Sequence, residues 1–297
     1  MKRKVYNDLL RWKQREQGKV AILLEGARRV GKSYIVEEFA KNEYKSYILV
    51  NFAHLSNALK AVFDNYLNET ETFLMFLQSV TDTRLYERES LIIFDEVQKY
   101  PLARQAIKHL VADGRYDYIE TGSLVSINEN TKDILLPSEE RSLMMYPMDF
   151  EEFLWAIGDE MTMPFIRQCF EKKMPMGPMH RKVMTLFRQY LIVGGMPQAV
   201  LGFIETKDFQ EVDVVKRDIL NLYRRSIDKH SKGYREKVKA VFNQIPGELQ
   251  KHKKRFRLAD LSEDARFRSY ETSFLWLQDA EIINMCYHVT NPPVGMR

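Results

Sequence analysis

Gly26-Ala27-Arg28-Arg29-Val30-Gly31-Lys32-Ser33 is the stretch on which the fold turns. It satisfies G-x-x-x-x-G-K-[ST] at every fixed position, the pattern of a loop that wraps phosphate. Its surroundings agree. Residues 20–25 read as an apolar strand before it, and a helix opens at Gly31 and runs through Ser33 to Phe39. Each residue type has a task there. Gly26 and Gly31 let the backbone turn its N–H groups inward, and the helix N-terminus adds partial positive charge. Lys32 has the reach for β- and γ-phosphates, and the Ser33 hydroxyl suits Mg2+. Ala27, Arg28, Arg29 and Val30 supply the rest of the cradle, with Tyr34 in the first helical turn. The pattern specifies a nucleoside triphosphate more firmly than it specifies hydrolysis.

Outward from the loop, residues 19–146 alternate β-type runs with helical segments, which predicts an α/β domain with a mostly parallel sheet. Strands are expected at 20–25, 46–51, 91–95, 116–121 and 143–146, and a second clear helix from Pro101 to about Ala112. A helical stretch over 56–80 carries Phe63, Tyr66, Leu67, Phe73, Phe76 and Leu77, which suit core packing and not a cofactor. The strand at 91–95 ends in Asp95-Glu96. Asp95 is expected to hold Mg2+ opposite Ser33, and Glu96 to polarise the water that attacks the γ-phosphate. The strand at 116–121 ends in Thr121-Gly122-Ser123, whose hydroxyls are placed to meet the γ-phosphate or its water; simple helix capping is their plainer use. Arg141 joins Lys32 and Glu96 in the expected catalytic set, as a donor to transition-state charge from its own or a neighbouring subunit. A surface ion pair is the other reading of it. No Asn-Lys-x-Asp segment is present to read guanine, so ATP is the expected nucleotide.

The composition suits this. In 297 residues, 45% are apolar and 29% charged, a soluble globular profile with room for a nucleotide domain and a smaller one. No run approaches the roughly 18 apolar residues of a membrane helix, so no membrane partner is expected. The basic start, Met1 to Gln17, lacks the apolar core of an export signal. Cys169 and Cys286 read as reduced thiols of a cytoplasmic protein, and the six histidines show no zinc spacing. A net charge of +4 is too small to name a polyanionic partner.

Five segments occur in order: Gly26-Ala-Arg-Arg-Val-Gly-Lys-Ser33, Ile93-Phe-Asp-Glu-Val-Gln-Lys-Tyr-Pro101, Thr121-Gly-Ser123, Tyr146-Pro-Met-Asp-Phe-Glu-Glu-Phe153 and Gly194-Gly-Met-Pro-Gln198. In these the chain resembles the AAA-type ATPases of bacteria and archaea that carry a C-terminal domain of unknown function, predicted to be nuclease-like. The resemblance runs from Lys19 to Asp228 and more loosely beyond. It implies a P-loop fold of the additional-strand type, Glu96 as catalytic residue beside Mg2+-linked Asp95, and a sensor role for Thr121 or Ser123. Where the family usually has a Gly-Arg pair before its Pro-x-x-Phe segment, this chain has Glu140-Arg141. The family also continues past the length of this chain, so the resemblance implies that the nuclease-like domain is lacking or truncated.

After Pro147 the pattern becomes helical, with a linker at 173–179 and a glycine bend at 193–197. The expected organisation is a P-loop domain over 1–150, a helical lid or linker region over 151–225, and a helical domain over 226–297. Residues 224–257 hold twelve Lys and Arg against three Asp and Glu, a net +9. Helices at about 235–245, 258–261 and 269–277 around this basic stretch suit a winged helix gripping DNA or RNA. A solvated charged face is the alternative. Phe274, Leu275, Trp276 and Leu277 read as core. Three functions remain open: a Mg-dependent ATPase coupling hydrolysis to conformational change; a nucleotide-gated DNA-binding or signalling module with little turnover; and a kinase, for which no acceptor site or arginine-rich lid is visible. A protein partner and a homo-oligomer are compatible with the first two.

Overall fold

Five parallel strands, β1 (Ala21–Glu25), β2 (Ser46–Asn51), β3 (Ser90–Asp95), β4 (Asp117–Gly122) and β5 (Glu140–Met144), form one sheet in the order β2-β3-β4-β1-β5. The structure is a computed structural model, and it describes residues 1–123, 138–230, 233–252, 256–261 and 266–286. β4 lies between β1 and β3, so the phosphate-loop strand and the Asp95 strand are separated by one inserted strand. That is the additional-strand arrangement, and the fold is that of a P-loop NTPase followed by helices.

Two-residue alternation divides the sheet's side chains between two cores. Ala21, Leu23, Ile48, Val50, Ile92, Phe94 and Tyr118 face helices α3 (Asn57–Tyr66), α4 (Thr70–Thr81) and α5 (Pro101–Asp113). Ile22, Leu24, Leu91, Ile93 and Ile119 face α1 (Lys4–Glu16) and α2 (Lys32–Glu43). The expected stretch over 56–80 is thus two helices, the first capped by Ser56, whose Oγ accepts from Leu59 N at 3.2 Å. Phe63, Leu67, Phe73 and Leu77 are buried, with Tyr66 and Phe76 packed against them. α1 was not foreseen, although its signal was present: Val5, Leu9 and Trp12 recur at helical spacing and are all buried. β5 starts at Glu140, three residues before the expected Leu143, because a buried ion pair lets an acidic residue enter the sheet.

A second helical core joins α6 (Phe150–Ala156), α8 (His180–Val193), α9 (Pro197–Thr206) and α10 (Phe209–His230), through Phe153, Val193, Ala199, Val200, Phe203 and Val212. α7 (Thr162–Glu171) precedes α8. Asp149 and Glu152 form a capping box that starts α6. The chain forms two compact units, Met1–Tyr223 and Arg224–Arg297, the boundary falling within α10. In the second unit α11 (Arg235–Gln250) and α12 (Phe267–Asp279) flank a short 3-10 turn at Leu258–Asp260. Phe274, Trp276 and Leu277 are buried there, but Leu275 is 46% exposed, since it lies on the outer face of α12. Among the described residues of this unit there is no strand. Residues 253–255 of the basic stretch lie outside the described residues. Among the described residues, no helix is long and apolar enough to cross a membrane, and no cluster of three His, Cys, Asp or Glu is arranged to hold a metal.

Candidate nucleotide site

The phosphate loop leaves β1 at Gly26, whose φ of 152° and tight surroundings admit no side chain: a Cβ there would lie 2.2 Å from the Met145 carbonyl oxygen. The loop ends at Gly31 (φ 95°), the N-cap of α2, after Arg29 in the left-handed region at φ 70°. Its carbonyls are held from several directions. Lys32, 8% exposed, donates Nζ to Gly26 O at 2.8 Å and Ala27 O at 2.9 Å. Tyr223 donates its hydroxyl to Arg28 O at 3.0 Å, and Arg3 Nη1 donates to Val30 O at 2.9 Å. In a trans peptide the carbonyl and the next residue's N–H point in opposite senses. Fixing the carbonyls of Arg28 and Val30 therefore fixes the N–H groups of Arg29 and Gly31, the kind of concave amide array that binds anions.

Asp95, at the end of β3 and 3% exposed, is where the strand tips meet. Its Oδ1 accepts from Ser33 Oγ at 2.7 Å and from Thr121 Oγ1 at 2.5 Å. Its Oδ2 accepts from Asn51 Nδ2 at 2.8 Å. The start of α2, β2 and β4 thus each place one side chain on the carboxylate that β3 carries. Glu96 follows in the left-handed region (φ 59°, ψ 43°), a conformation that costs a residue with a Cβ about 1–2 kcal/mol. Its backbone N–H donates to Thr121 Oγ1 at 3.4 Å, and its Oε2 accepts from Gln98 Nε2 at 2.5 Å. Gln98 is itself 4% exposed, and its Oε1 is buried without a partner, as is the Oγ of Ser123. The orphaned amide oxygen of Gln98, on the side chain that holds Glu96, is what a site built to take up a further polar group presents.

Of the residues named from sequence, Gly26, Ala27, Arg28, Val30, Gly31, Lys32, Ser33, Asp95, Glu96 and Thr121 come together here. Ser123 stands two residues beyond Thr121. Arg29 reaches outward, with Nη1 donating to Gln198 Oε1 at 3.2 Å, and Tyr34 is 56% exposed. Arg141 does not join them. It pairs with Ile22 in the β-ladder, three residues short of the strand end that carries the loop, and donates to Glu16 at 2.8 Å with half its side chain exposed. Asn51, Gln98, Arg3 and Tyr223 were missed. Gln98 lies within the segment that carries the acids; the other three become neighbours only through tertiary structure.

A groove of about 360 Å³ between α1 and α2 is lined by Arg3, Tyr6, Asn7, Ile35, Glu38 and Asn42. It opens one helical turn past the loop and offers amide and carboxylate edges beside an aliphatic wall.

Residues 18–154 match the family model of an AAA domain, and residues 184–297 match that of a domain of unknown function (DUF8612). Among solved structures, the chain is similar to the Walker-type ATPase PABY2304 of Pyrococcus abyssi, with a TM-score of 0.54 and 14% identity over 94% of this chain and 89% of that one. It also matches the Aeropyrum pernix ORC1 protein in complex with DNA, with a TM-score of 0.39 and 12% identity over 95% of this chain and 85% of that one. At 14% identity the likeness to the Pyrococcus abyssi structure is one of fold. No curated protein matches the sequence. The match to an AAA domain spans residues 18–154, and the fold of that stretch is that of a P-loop NTPase.

Behind the site, three carboxyls share the face covered by α5. Glu140 receives a two-pronged bond from Arg104, at 3.0 Å and 2.8 Å, with both side chains 6% exposed. Glu120, one residue before Thr121, has no exposure, and neither of its oxygens has a hydrogen-bond partner. Burial, and the nearby Glu140 carboxylate, hold its carboxyl well above the usual range. Burial likewise raises Glu25, one residue before Gly26. A carboxyl raised by folding keeps its proton in the native state after the unfolded chain has lost it. Stability from Glu120 is therefore full below about pH 4.5 and declines as pH rises toward the folded value. Glu120→Gln should remove that decline. A stability gap of about 1–3 kcal/mol in favour of the variant is expected to open between pH 5 and pH 8, read by urea unfolding at both values.

Proposed function

We propose that this protein binds ATP with Mg2+ and hydrolyses it, coupling the reaction to conformational change. The observation that carries the reading is the convergence of Ser33, Thr121 and Asn51 on Asp95, beside a loop whose carbonyls are held by Lys32, Tyr223 and Arg3. Ser33 and Asp95 offer the hard oxygen donors that suit Mg2+, which when bound would neutralise phosphate charge. The loop N–H groups and Lys32 bind the β- and γ-phosphates, Lys32 exchanging its loop carbonyls for phosphate oxygens. Glu96, oriented by Gln98 and Thr121, accepts the proton of the attacking water. Thr121 carries information between the acids, and the buried, partnerless Ser123 hydroxyl supplies a further polar contact. The groove beside Asn7 and Asn42 is the place we assign to the base, which we take as adenine because the sequence has no Asn-Lys-x-Asp segment. Arg141 has no place in its own chain's site; its role in this proposal is toward a neighbouring copy in a homo-oligomer.

The functional division we propose is a core over 1–150, a helical lid over 151–225, and a helical domain over 226–297, whose winged-helix reading rests on its helices, since no wing strand occurs among the described residues. The basic segment 224–257 supports a salt-sensitive nucleic-acid contact, although Lys251 is engaged with Glu248 and Asp260, and Lys239 with Asp228. A second reading, a nucleotide-gated module with little turnover, is favoured by that segment and by the absence of Arg141 from the site. A protein partner fits either, and a cytoplasmic location is part of the proposal, with which the free Cys169 and Cys286 are compatible.

The test is steady-state ATP hydrolysis by the full chain, with and without Mg2+ and with and without duplex DNA at low salt. Mg-dependent turnover that DNA accelerates supports a DNA-dependent ATPase. Turnover indifferent to DNA keeps the ATPase and turns attention to a protein partner. ATP binding without turnover establishes the switch, and no ATP binding at all ends both readings.

A further inference from the structure

We propose that Arg3, near the chain's beginning, is a positioning residue of the nucleotide site, holding the phosphate loop in its phosphate-binding shape. The proposal rests on the nucleotide reading above and adds to it a residue far from the loop in sequence.

Arg3 is 6% exposed, and its guanidinium distributes three nitrogens over three partners. Nε donates to Glu152 Oε1 at 3.2 Å, Nη1 to Val30 O at 2.9 Å, and Nη2 to Tyr146 O at 2.6 Å. Only one of the three is a carboxylate. Were the side chain simply a buried ion pair, Nε and one terminal nitrogen would be free to grip both oxygens of Glu152, as Nε and Nη2 of Arg104 grip Glu140. Instead both terminal nitrogens reach backbone carbonyls of two segments, the phosphate loop and the exit from β5.

Nor is the guanidinium needed to dock α1. The backbone N–H of Lys4 donates to Glu152 Oε1 at 2.6 Å, and Lys4 Nζ bridges Asp149 and Glu151. Val5, Leu9 and Trp12 bury the helix's apolar stripe, and Trp12 Nε1 donates to Val20 O at 2.8 Å. Helix docking and loop holding are therefore carried by different groups. What Arg3 does, among the described residues, is set the Val30–Gly31 peptide. With Val30 O turned toward the guanidinium, the Gly31 N–H faces the opposite way, at the point where the loop passes into α2. Gly31 is also the residue with the freest backbone there, at φ 95°, and an ideal Cβ on it would lie 4.0 Å from Arg3 Nη1. A rigid, planar fork is the side chain that can hold two diverging carbonyls; a lysine ammonium, on a flexible stem, is not its equivalent.

The segments Tyr146–Phe153 and Gly194–Gln198 find a use in the same device. Met145 N donates to Glu25 O at 2.8 Å, and Met148 N donates to Gly195 O at 2.7 Å. A Cβ on Gly195 would lie 2.1 Å from Met148 O, so the two backbones meet directly. Arg3 closes this seat against the loop from the other side.

The experiment compares Arg3→Lys, Arg3→Ala and Glu152→Gln in the full chain. In Glu152→Gln the amide oxygen can take the place of Oε1 and still accept from Arg3 Nε and Lys4 N, while the capping-box bond from Asp149 N to Oε2 is lost, a change that thermal unfolding reads. Amide hydrogen exchange is measured over residues 26–33 without nucleotide, together with affinity for a fluorescent ATP analogue, kcat at saturating ATP, and thermal unfolding. Both Arg3 variants are expected to speed exchange in the loop and to weaken analogue binding, each about tenfold, the scale of one charge-assisted hydrogen bond. Saturating kcat should stay within about twofold and Glu152→Gln should alter neither loop exchange nor affinity. Natural loop exchange and affinity in Arg3→Lys would overturn the proposal. So would a Glu152→Gln variant that loosens the loop as much as Arg3→Lys, since Arg3 would then act only through α6. If the natural chain binds no nucleotide, the nucleotide reading fails by itself. Loop exchange then decides alone whether Arg3 holds the loop.

Discussion

Glu96→Gln is expected to bind ATP about as tightly as the natural chain and to hydrolyse it at least about a hundredfold more slowly, the lower end of what a positioned general base contributes. The amide keeps the size of the carboxylate and can still meet Gln98, so the strained turn at φ 59° need not change. What disappears is the ability to take a proton. Lys32→Ala separates the other half of the site. Its ammonium is the charge aimed at the β- and γ-phosphates, and its loss should abolish detectable binding at micromolar ATP while leaving the fold intact. Isothermal titration of both variants, beside a phosphate-release assay, checks the pair. Tight ATP binding by Lys32→Ala, or undiminished turnover by Glu96→Gln, would remove these residues from the mechanism.

Arg104→Ala should produce the largest loss of stability, about 3–5 kcal/mol, the usual cost of removing one partner from a buried pair. In a domain of this size that amounts to roughly a 10 °C fall in Tm. Glu140 would lose both of its bonds from Arg104, with the partnerless Glu120 and the buried Glu25 close by. Burial opposes charge on Arg104 itself, yet the bond to Glu140 and the fields of Glu140, Glu120 and Glu25 more than offset it and raise its pKa. Without the guanidinium, Glu120 and Glu25 should retain protons to still higher pH when folded. The destabilisation should therefore be smaller at pH 5 than at pH 8, the sign expected when the native state binds more protons than the unfolded one. Replacing Arg104 and Glu140 together by Met and Leu should recover much of the loss. Differential scanning calorimetry at the two pH values measures all of this. An alanine variant as stable as the natural chain would mean that water, and not Arg104, solvates the cluster.

What was legible in the sequence was what is local in it. The loop's glycines, Lys32 and Ser33 lie within eight residues, and Asp95 and Glu96 end a run of four apolar residues, so motif and periodicity sufficed. Asn51 was not legible. Its relation to Asp95 is a register between β2 and β3, residues 44 apart, and nothing in the text of either strand announces it. Tyr223 meets Arg28 across 195 positions for the same reason. Glu140 shows the opposite failure, since an acid at a strand start reads as loop until its partner, Arg104, is known. The split between α3 and α4 falls at Leu67–Glu69, where the apolar pattern continues across the break and masks it.

The contact between Tyr223 and the Arg28 carbonyl has a consequence for how the protein is made. One support of the phosphate loop lies 195 residues downstream of it, and so leaves the ribosome after it. At about 5–20 residues per second of synthesis, some 10–40 s separate the two. During that interval the nascent chain carries the whole motif but not the whole site. A ribosome-bound intermediate ending before α10 should therefore hold ATP more weakly than the released protein, so that competence for nucleotide arrives only as the last of the first unit emerges.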